Sequence, residues 1–178
     1  MQIETPRQYW WRRAVQRMSA KPWASRLMTR RLQQWDRWVG RLSKGRWTAT
    51  EILTGLPVIF VTTIGTRSGQ ERTTPLLAID MKGNFILIGT NFGAARHPQW
   101  YFNVKANPFV TVAYRDQSGA YQVTELEGEA RSAAWRHAVA YYPGYQAYEL
   151  RAAQRRIPVL ALSPLPAEST RPLLSNQR

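Results

Sequence analysis

Four tyrosines fall within eight residues, Tyr141, Tyr142, Tyr145 and Tyr148, around a Pro143-Gly144 break. A phenol with an ordinary pKa of about 10 keeps its proton at neutral pH, so such a cluster suits proton donation rather than abstraction. Buried phenols need hydrogen-bond partners, which makes them natural lining for a polar-aromatic pocket. The same residues also read as plain surface and core tyrosines. A second concentration lies at residues 65–75, GTRSGQERTTP, where Thr66, Arg67, Ser68, Arg72, Thr73 and Thr74 gather donors between apolar runs. Gly65 and Gly69 let the backbone turn and approach a ligand closely. Turn N–H groups beside guanidinium forks suit phosphate or carboxylate oxygens; a solvated hairpin tip is the plainer alternative. The third constellation is residues 97–103, HPQWYFN, preceded by Gly93 and Arg96. Trp100 and Tyr101 either wall an aromatic ligand or pack as helix core. Asn103 bonds a ligand or the backbone, and His97 orders the loop.

Other chemistries are excluded by composition. There are no cysteines, which removes disulfides, thiolate metal sites and cysteine catalysis. Two histidines, His97 and His137, stand forty residues apart without a carboxylate cluster, so no metal site and no histidine triad is expected. Residues 65–75 lack the Gly-Lys-Ser/Thr ending of a P-loop and the Gly-x-Gly-x-x-Gly of a dinucleotide fold. An anion bound there sits on a β scaffold.

The elements that must position these residues are short. Residues 57–64 (PVIFVTTI) and 76–79 (LLAI) read as two strands of a hairpin, residues 80–84 as a turn and residues 85–89 (FILIG) as a third strand. A loop over 90–98 leads into a short helix over 99–106, stopped by Asn107-Pro108. Residues 109–114 (FVTVAY) alternate as a strand, 116–119 turn, and 121–130 form a longer strand. Ser132 caps a helix running to about 142, the chain resumes as helix over 145–153, and 157–162 is a last strand. Five or six strands with inserted helices predict an α+β fold, a small mixed barrel rather than a doubly wound sheet.

Net charge is +14, and its distribution is uneven. Residues 1–50 carry twelve Lys/Arg against Glu4 and Asp36, and six of the eight tryptophans. Apolar positions recur there at helical spacing (Trp10, Trp11, Ala14, Val15, Met18; then Trp23, Leu27, Trp35, Trp38). Tryptophan with arginine on an amphipathic helix is the make-up of an interfacial membrane helix. Packing on the chain's own domain is the alternative; a nucleic-acid arm is third, because no base-reading module accompanies the charge. The expected organisation is a basic arm over 1–54 at an anionic membrane surface, a barrel over 55–164 and a flexible tail over 165–178. No apolar run reaches the ~20 residues of a membrane span and no secretory segment is evident, so the expected location is the cytoplasm, peripheral on the membrane face.

Three ordered segments, TTIGTRSGQERTTPLL (62–77), GAARHPQWYFNVKANPFVTV (93–112) and YYPGYQAYELRAAQRRIPVLALSP (141–164), together resemble the deazaflavin-dependent nitroreductase family. The resemblance implies a split β-barrel of the FMN-binding type and the 8-hydroxy-5-deazaflavin coenzyme F-420. It places the coenzyme's anionic tail on Thr66, Arg67, Ser68 and Arg72, Thr73, Thr74, Pro75, Leu76, with Leu77 beside them. The ring would lie along Ile88, Gly89, Thr90 and Asn91 and the segment Gln99, Trp100, Tyr101, Phe102, Asn103, with Tyr145 touching the coenzyme. Tyr142 and Tyr148 would line the acceptor side as catalytic proton donors. Leu77 replaces an aromatic and Phe92 a small residue common in relatives, changes that reshape the pocket. The implied activity is hydride transfer from reduced F-420 to a quinone or nitro compound. An FMN oxidoreductase on the same barrel and a non-catalytic, membrane-associated coenzyme-binding protein are the alternatives.

Overall fold

The computed structural model describes residues 57–81, 84–152 and 154–166. The basic arm over 1–54 and the tail from 167 lie outside the described residues. Seven strands form one antiparallel sheet: β1 (Val58–Ile64), β2 (Glu71–Leu77), β3 (Ile79–Met81), β4 (Asn84–Ile88), β5 (Phe109–Tyr114), β6 (Gln117–Glu125) and β7 (Val159–Pro164). Their spatial order is β2-β1-β5-β6-β7-β4-β3. The two outermost strands, β2 and β3, are one stretch of chain interrupted at Ala78, whose N–H donates to the Pro57 carbonyl at 3.0 Å. The sheet therefore curls until its edges are joined covalently, which is the split barrel.

Three helices and a turn fill the connections: a 3-10 turn Asn91–Gly93, α1 (Gln99–Ala106), α2 (Gly128–Tyr141) and α3 (Gly144–Arg151). The two faces of the sheet build two cores. Inside the curl, Ile59, Val61, Phe85, Leu87, Val112, Leu160 and Leu162 pack with Trp100 and Val104 of α1. Outside it, Ile79, Ile86, Ile88, Ile157 and Val159 pack against Ala134, Ala138 and the tyrosines of α2 and α3. Strand β4 is thus buried on both faces, which is why its sequence is a continuous apolar run rather than an alternation. Just past it, the Gly89 N–H donates to the Pro158 carbonyl at 2.9 Å, and a Cβ on Gly89 would stand 2.6 Å from the proline ring.

Several expected boundaries shift. Strand β2 begins at Glu71 rather than at residue 76; Pro75 fits because β2 is an edge strand and its missing N–H breaks no inner ladder. The turn after β5 is Arg115-Asp116, not 116–119: Tyr114 pairs with Gln117, leaving two residues to turn, and Arg115 takes φ 52°. Residues 79–81, expected within a strand and turn, form β3, and β6 stops at Glu125 instead of running to 130. Ser132 does not cap α2; its hydroxyl donates back to the Gly128 carbonyl at 3.0 Å inside a helix that already started four residues earlier. The last strand starts at Val159; Ile157 is buried in the outer core and Pro158 packs against Gly89.

Candidate active site

The tip of the β1–β2 hairpin is a tight structure with its cations pointing outward. Gly65 donates to the Gln70 carbonyl at 2.9 Å and Gly69, at φ 64°, donates to Gly65 at 2.8 Å. Thr62 and Thr73 join hydroxyls across the strands at 2.8 Å, and Arg72 donates to Gln70 Oε1 at 3.3 Å. Residues 66–73 are exposed. Among the described residues the guanidiniums of Arg67 and Arg96 have no carboxylate partner.

Asn103 ties this tip to α1. Almost fully buried, it donates from Nδ2 to Thr63 Oγ1 at 3.0 Å and accepts the Thr66 N–H on Oδ1 at 3.3 Å. Both ends of its amide are used within the fold, so its part in the site is to set the hairpin. Along α1, Trp100 points into the barrel core, while Tyr101 donates to Glu125 at 3.0 Å, where Lys105 also donates at 3.1 Å. Burial and that carboxylate push the Tyr101 phenol up from its ordinary pKa. The His97 ring lies 4.8 Å from that of Tyr101 and 6.1 Å from that of Phe102, which is 46% exposed. Gln99 is exposed at the start of the helix.

The loop after β4 faces α3. Thr90 Oγ1 accepts the Phe92 N–H at 3.4 Å and Asn91 Nδ2 donates to the Arg96 carbonyl at 2.9 Å, so both polar side chains brace the loop. Gly93 has φ 79° and no room for a side chain: a Cβ would lie 2.7 Å from Arg151 Cβ and 2.9 Å from the Tyr148 carbonyl. The loop is thereby pressed against the tyrosine cluster, with the Phe92 ring edge-on to Tyr148 at 5.9 Å.

The Pro143-Gly144 break brings Tyr142 and Tyr148 together. Their hydroxyls are 3.3 Å apart and both residues are buried. Gly144 makes this possible, because the Tyr142 ring lies where its Cβ would be, at 2.3–2.5 Å. Tyr145 packs edge-on to Tyr142 at 5.1 Å. Burial first, and the neighbouring Tyr142 second, push both Tyr145 and Tyr148 well above the ordinary phenol range, while the Arg151 guanidinium 4.9 Å over the Tyr148 ring pulls weakly the other way. These phenols hold their protons throughout the neutral range.

Of the residues expected to contact a coenzyme, the hairpin group, Thr90, Asn91, Tyr101 and Phe102 are presented on exposed or half-buried surface around these elements. Leu76 packs against the inner core and Leu77 against the outer one; Trp100 is buried in the inner core, Ile88 and Tyr145 in the outer one. The sequence reading missed Arg155. Its guanidinium donates to the carbonyls of Ala94 at 2.7 Å, Gly89 at 3.2 Å and Thr90, and to His97 Nδ1 at 3.3 Å. Because guanidinium only donates, that nitrogen of His97 is the acceptor, and burial and Arg155 together hold the imidazole below its ordinary pKa. One of two adjacent arginines before the last strand, Arg155 carries no sequence signal that separates it from a solvated charge.

Among the described residues no group of His, Cys, Asp and Glu is placed to hold a metal, and no helix is long and apolar enough to cross a membrane. A family model described as F420H(2)-dependent quinone reductase matches residues 34–164. A Mycobacterium tuberculosis protein bearing that same name is 26% identical over 109 residues, 61% of this chain and 91% of that relative. A solved structure of an F420-H2 dependent reductase is 39% identical with a TM-score of 0.55, covering 60% of this chain and 94% of the other. A second solved structure, described only as a domain-swapped dimer, is 33% identical with a TM-score of 0.58 and covers 79% of this chain and 97% of the other.

Proposed function

The chain belongs to the F420H(2)-dependent quinone reductase family, and on that premise we propose how its residues divide the work. It is an oxidoreductase whose cofactor is coenzyme F-420 and whose acceptor class is the quinones. We assign the coenzyme's anionic tail to the hairpin tip, where Thr66, Arg67, Ser68 and Arg72 stand exposed, with Arg96 adding a cation from the loop. The fit rests on the two guanidiniums that the described residues leave unpaired: a tail with several anionic groups supplies the partners they lack. The ring is assigned to Gly89–Asn91 and the Tyr101–Phe102 side of α1. When bound, the reduced coenzyme supplies a hydride, and the chain's own groups orient, exclude water and handle the proton.

Tyr142 and Tyr148 supply that proton on the acceptor side. Reduction of a quinone leaves negative charge on an oxygen, and a phenol hydroxyl within hydrogen-bond reach stabilises that charge and is the proton donor we assign to it. The observation that carries this assignment is the 3.3 Å hydroxyl pair, buried yet next to the coenzyme loop through the Phe92–Tyr148 contact. Equilibrium titration with F-420 and with FMN tests the whole reading: F-420 should bind more tightly, and equal or tighter FMN binding would overturn the tail assignment.

The basic arm, residues 1–54, is assigned to an anionic membrane surface, where a lipid-soluble quinone partitions. Its twelve Lys/Arg and six tryptophans before residue 50 support that role, each cation near such a surface adding roughly 1 kcal/mol. Deleting residues 1–50 should release the protein from anionic vesicles while reduction of a water-soluble quinone stays nearly intact. Continued sedimentation with vesicles would place the adhesion elsewhere.

A further inference from the structure

The loop between β4 and α1 has an improbable backbone. Asn91, Phe92 and Gly93 take φ of 45°, 55° and 79° in succession. Left-handed geometry is tolerated by glycine and, less well, by asparagine, but is an outlier for a bulky residue such as phenylalanine. A run of this kind persists only where its surroundings over-determine it. Within the loop, the Thr90 and Asn91 side chains reach two and five residues along the chain. The long-range tie is Arg155, 58 to 66 residues on, which donates to Gly89, Thr90 and Ala94 and to the His97 ring. These contacts straddle the left-handed run: Gly89 and Thr90 precede it, Ala94 and His97 follow it.

We infer that Arg155 is the positioning residue of the coenzyme-binding loop, gripping both ends of the left-handed run so that residues 89–91 present a preformed surface to the ring. The inference rests on the assignment of that loop to the coenzyme. A planar fork with five N–H groups spans several carbonyls at once; a lysine ammonium offers its three donors from one point and cannot. Half-burial strengthens each contact by excluding competing water, while the cost of desolvating the charge is met by four acceptors. Its contacts are to the loop, so on this inference its loss should show as weakened coenzyme binding before slowed chemistry.

The test uses the full-length protein with F-420 as probe, titrated by its fluorescence, and steady-state reduction of a water-soluble quinone. Arg155→Gln should raise the coenzyme Kd about tenfold or more, since a loop that holds its binding-competent form only a tenth of the time binds about tenfold more weakly. Turnover at saturating coenzyme should fall by less than affinity does. Arg155→Lys should lie between the two, and millimolar guanidinium ion should restore part of the affinity of the Gln variant, a response that a purely structural role would not give. Wild-type affinity in both variants overturns the inference. So does a loss in the Gln variant that follows its melting temperature and guanidinium leaves untouched. Should the Gln variant fail to fold, the Lys variant decides: wild-type affinity overturns the inference and a raised Kd supports it. Failure of the wild type to bind F-420 would bring down the loop assignment and this inference with it, a result distinct from unchanged variants of a protein that does bind.

Discussion

The hairpin tip and the tyrosine break treat polar groups in opposite ways. At the tip, Arg67, Ser68 and Arg72 stand in water on a turn whose backbone is already satisfied, with the Arg67 charge left open among the described residues. At the break, Tyr142 and Tyr148 are buried and bonded to each other. An exposed cation is solvated cheaply and exchanges water for an anion on binding, so it gives affinity and steering. A buried phenol has surrendered its water already, so it acts at full strength on a charge that develops beside it. On the proposed assignment affinity and chemistry are separable, and variants at the two regions should fail in different ways.

The largest expected effect is on turnover. Tyr142→Phe, Tyr148→Phe and their double variant keep the rings and remove hydroxyls; turnover at saturating acceptor should fall by roughly tenfold to a thousandfold. Coenzyme affinity should stay within about twofold. Solvent still protonates the product, so some activity remains. Wild-type turnover in the double variant would leave these tyrosines as pocket wall and erase the contrast. Next is Arg67→Glu, which should weaken F-420 binding by more than tenfold, about 2–4 kcal/mol, with melting unchanged. Unaltered affinity would mean that Arg67 only meets solvent.

A smaller effect sharpens how the tip is set. Asn103→Leu leaves the buried Thr63 hydroxyl and the Thr66 N–H without their amide partner, and should lower stability by about 1–3 kcal/mol. Calorimetric melting reads it, and an unchanged Tm would show the hairpin to be set by its own turn. The smallest effect, nil at neutral pH, concerns alkali. Tyr145 and Tyr148 titrate above the ordinary phenol value when folded, so the unfolded chain loses these protons first. Stability from this source is intact below pH of about 10 and declines as pH rises beyond it. Spectrophotometric titration of tyrosinate should show the two phenols ionising only as the fold opens; early ionisation in the folded protein would contradict their burial.

The sequence made much of this legible, for identifiable reasons. Residues 99–106 and 109–114 are bounded by Pro98 and Asn107-Pro108, and both elements form over those spans. Local patterning failed where tertiary partners decide the structure. Glu71 to Thr74 look like loop by composition but pair with the C-terminal half of β1, residue for residue from Ile64 to Val61. The tyrosine pair was visible as a cluster, while its convergence depended on the bend at Gly144 and was beyond any spacing rule. Arg155 was invisible because its meaning lies in carbonyls more than sixty residues away.

Strand β4 poses a problem of addressing. On an alternating strand, hydrophobicity distinguishes the correct frame from one shifted by a residue, because a slip would turn polar side chains inward. On β4 that discrimination is absent: Phe85 and Leu87 serve one core, Ile86 and Ile88 the other, and exchanging the pairs would still present oil to oil on both sides. The distinguishing mark is Gly89, the one residue able to pass beneath Pro158, which indexes Leu87 to Leu160 and Ile88 to Val159. The loop proposed to hold the coenzyme ring begins at the next residue. The mark that sets the frame of the strand thus also sets the starting coordinate of the proposed coenzyme loop.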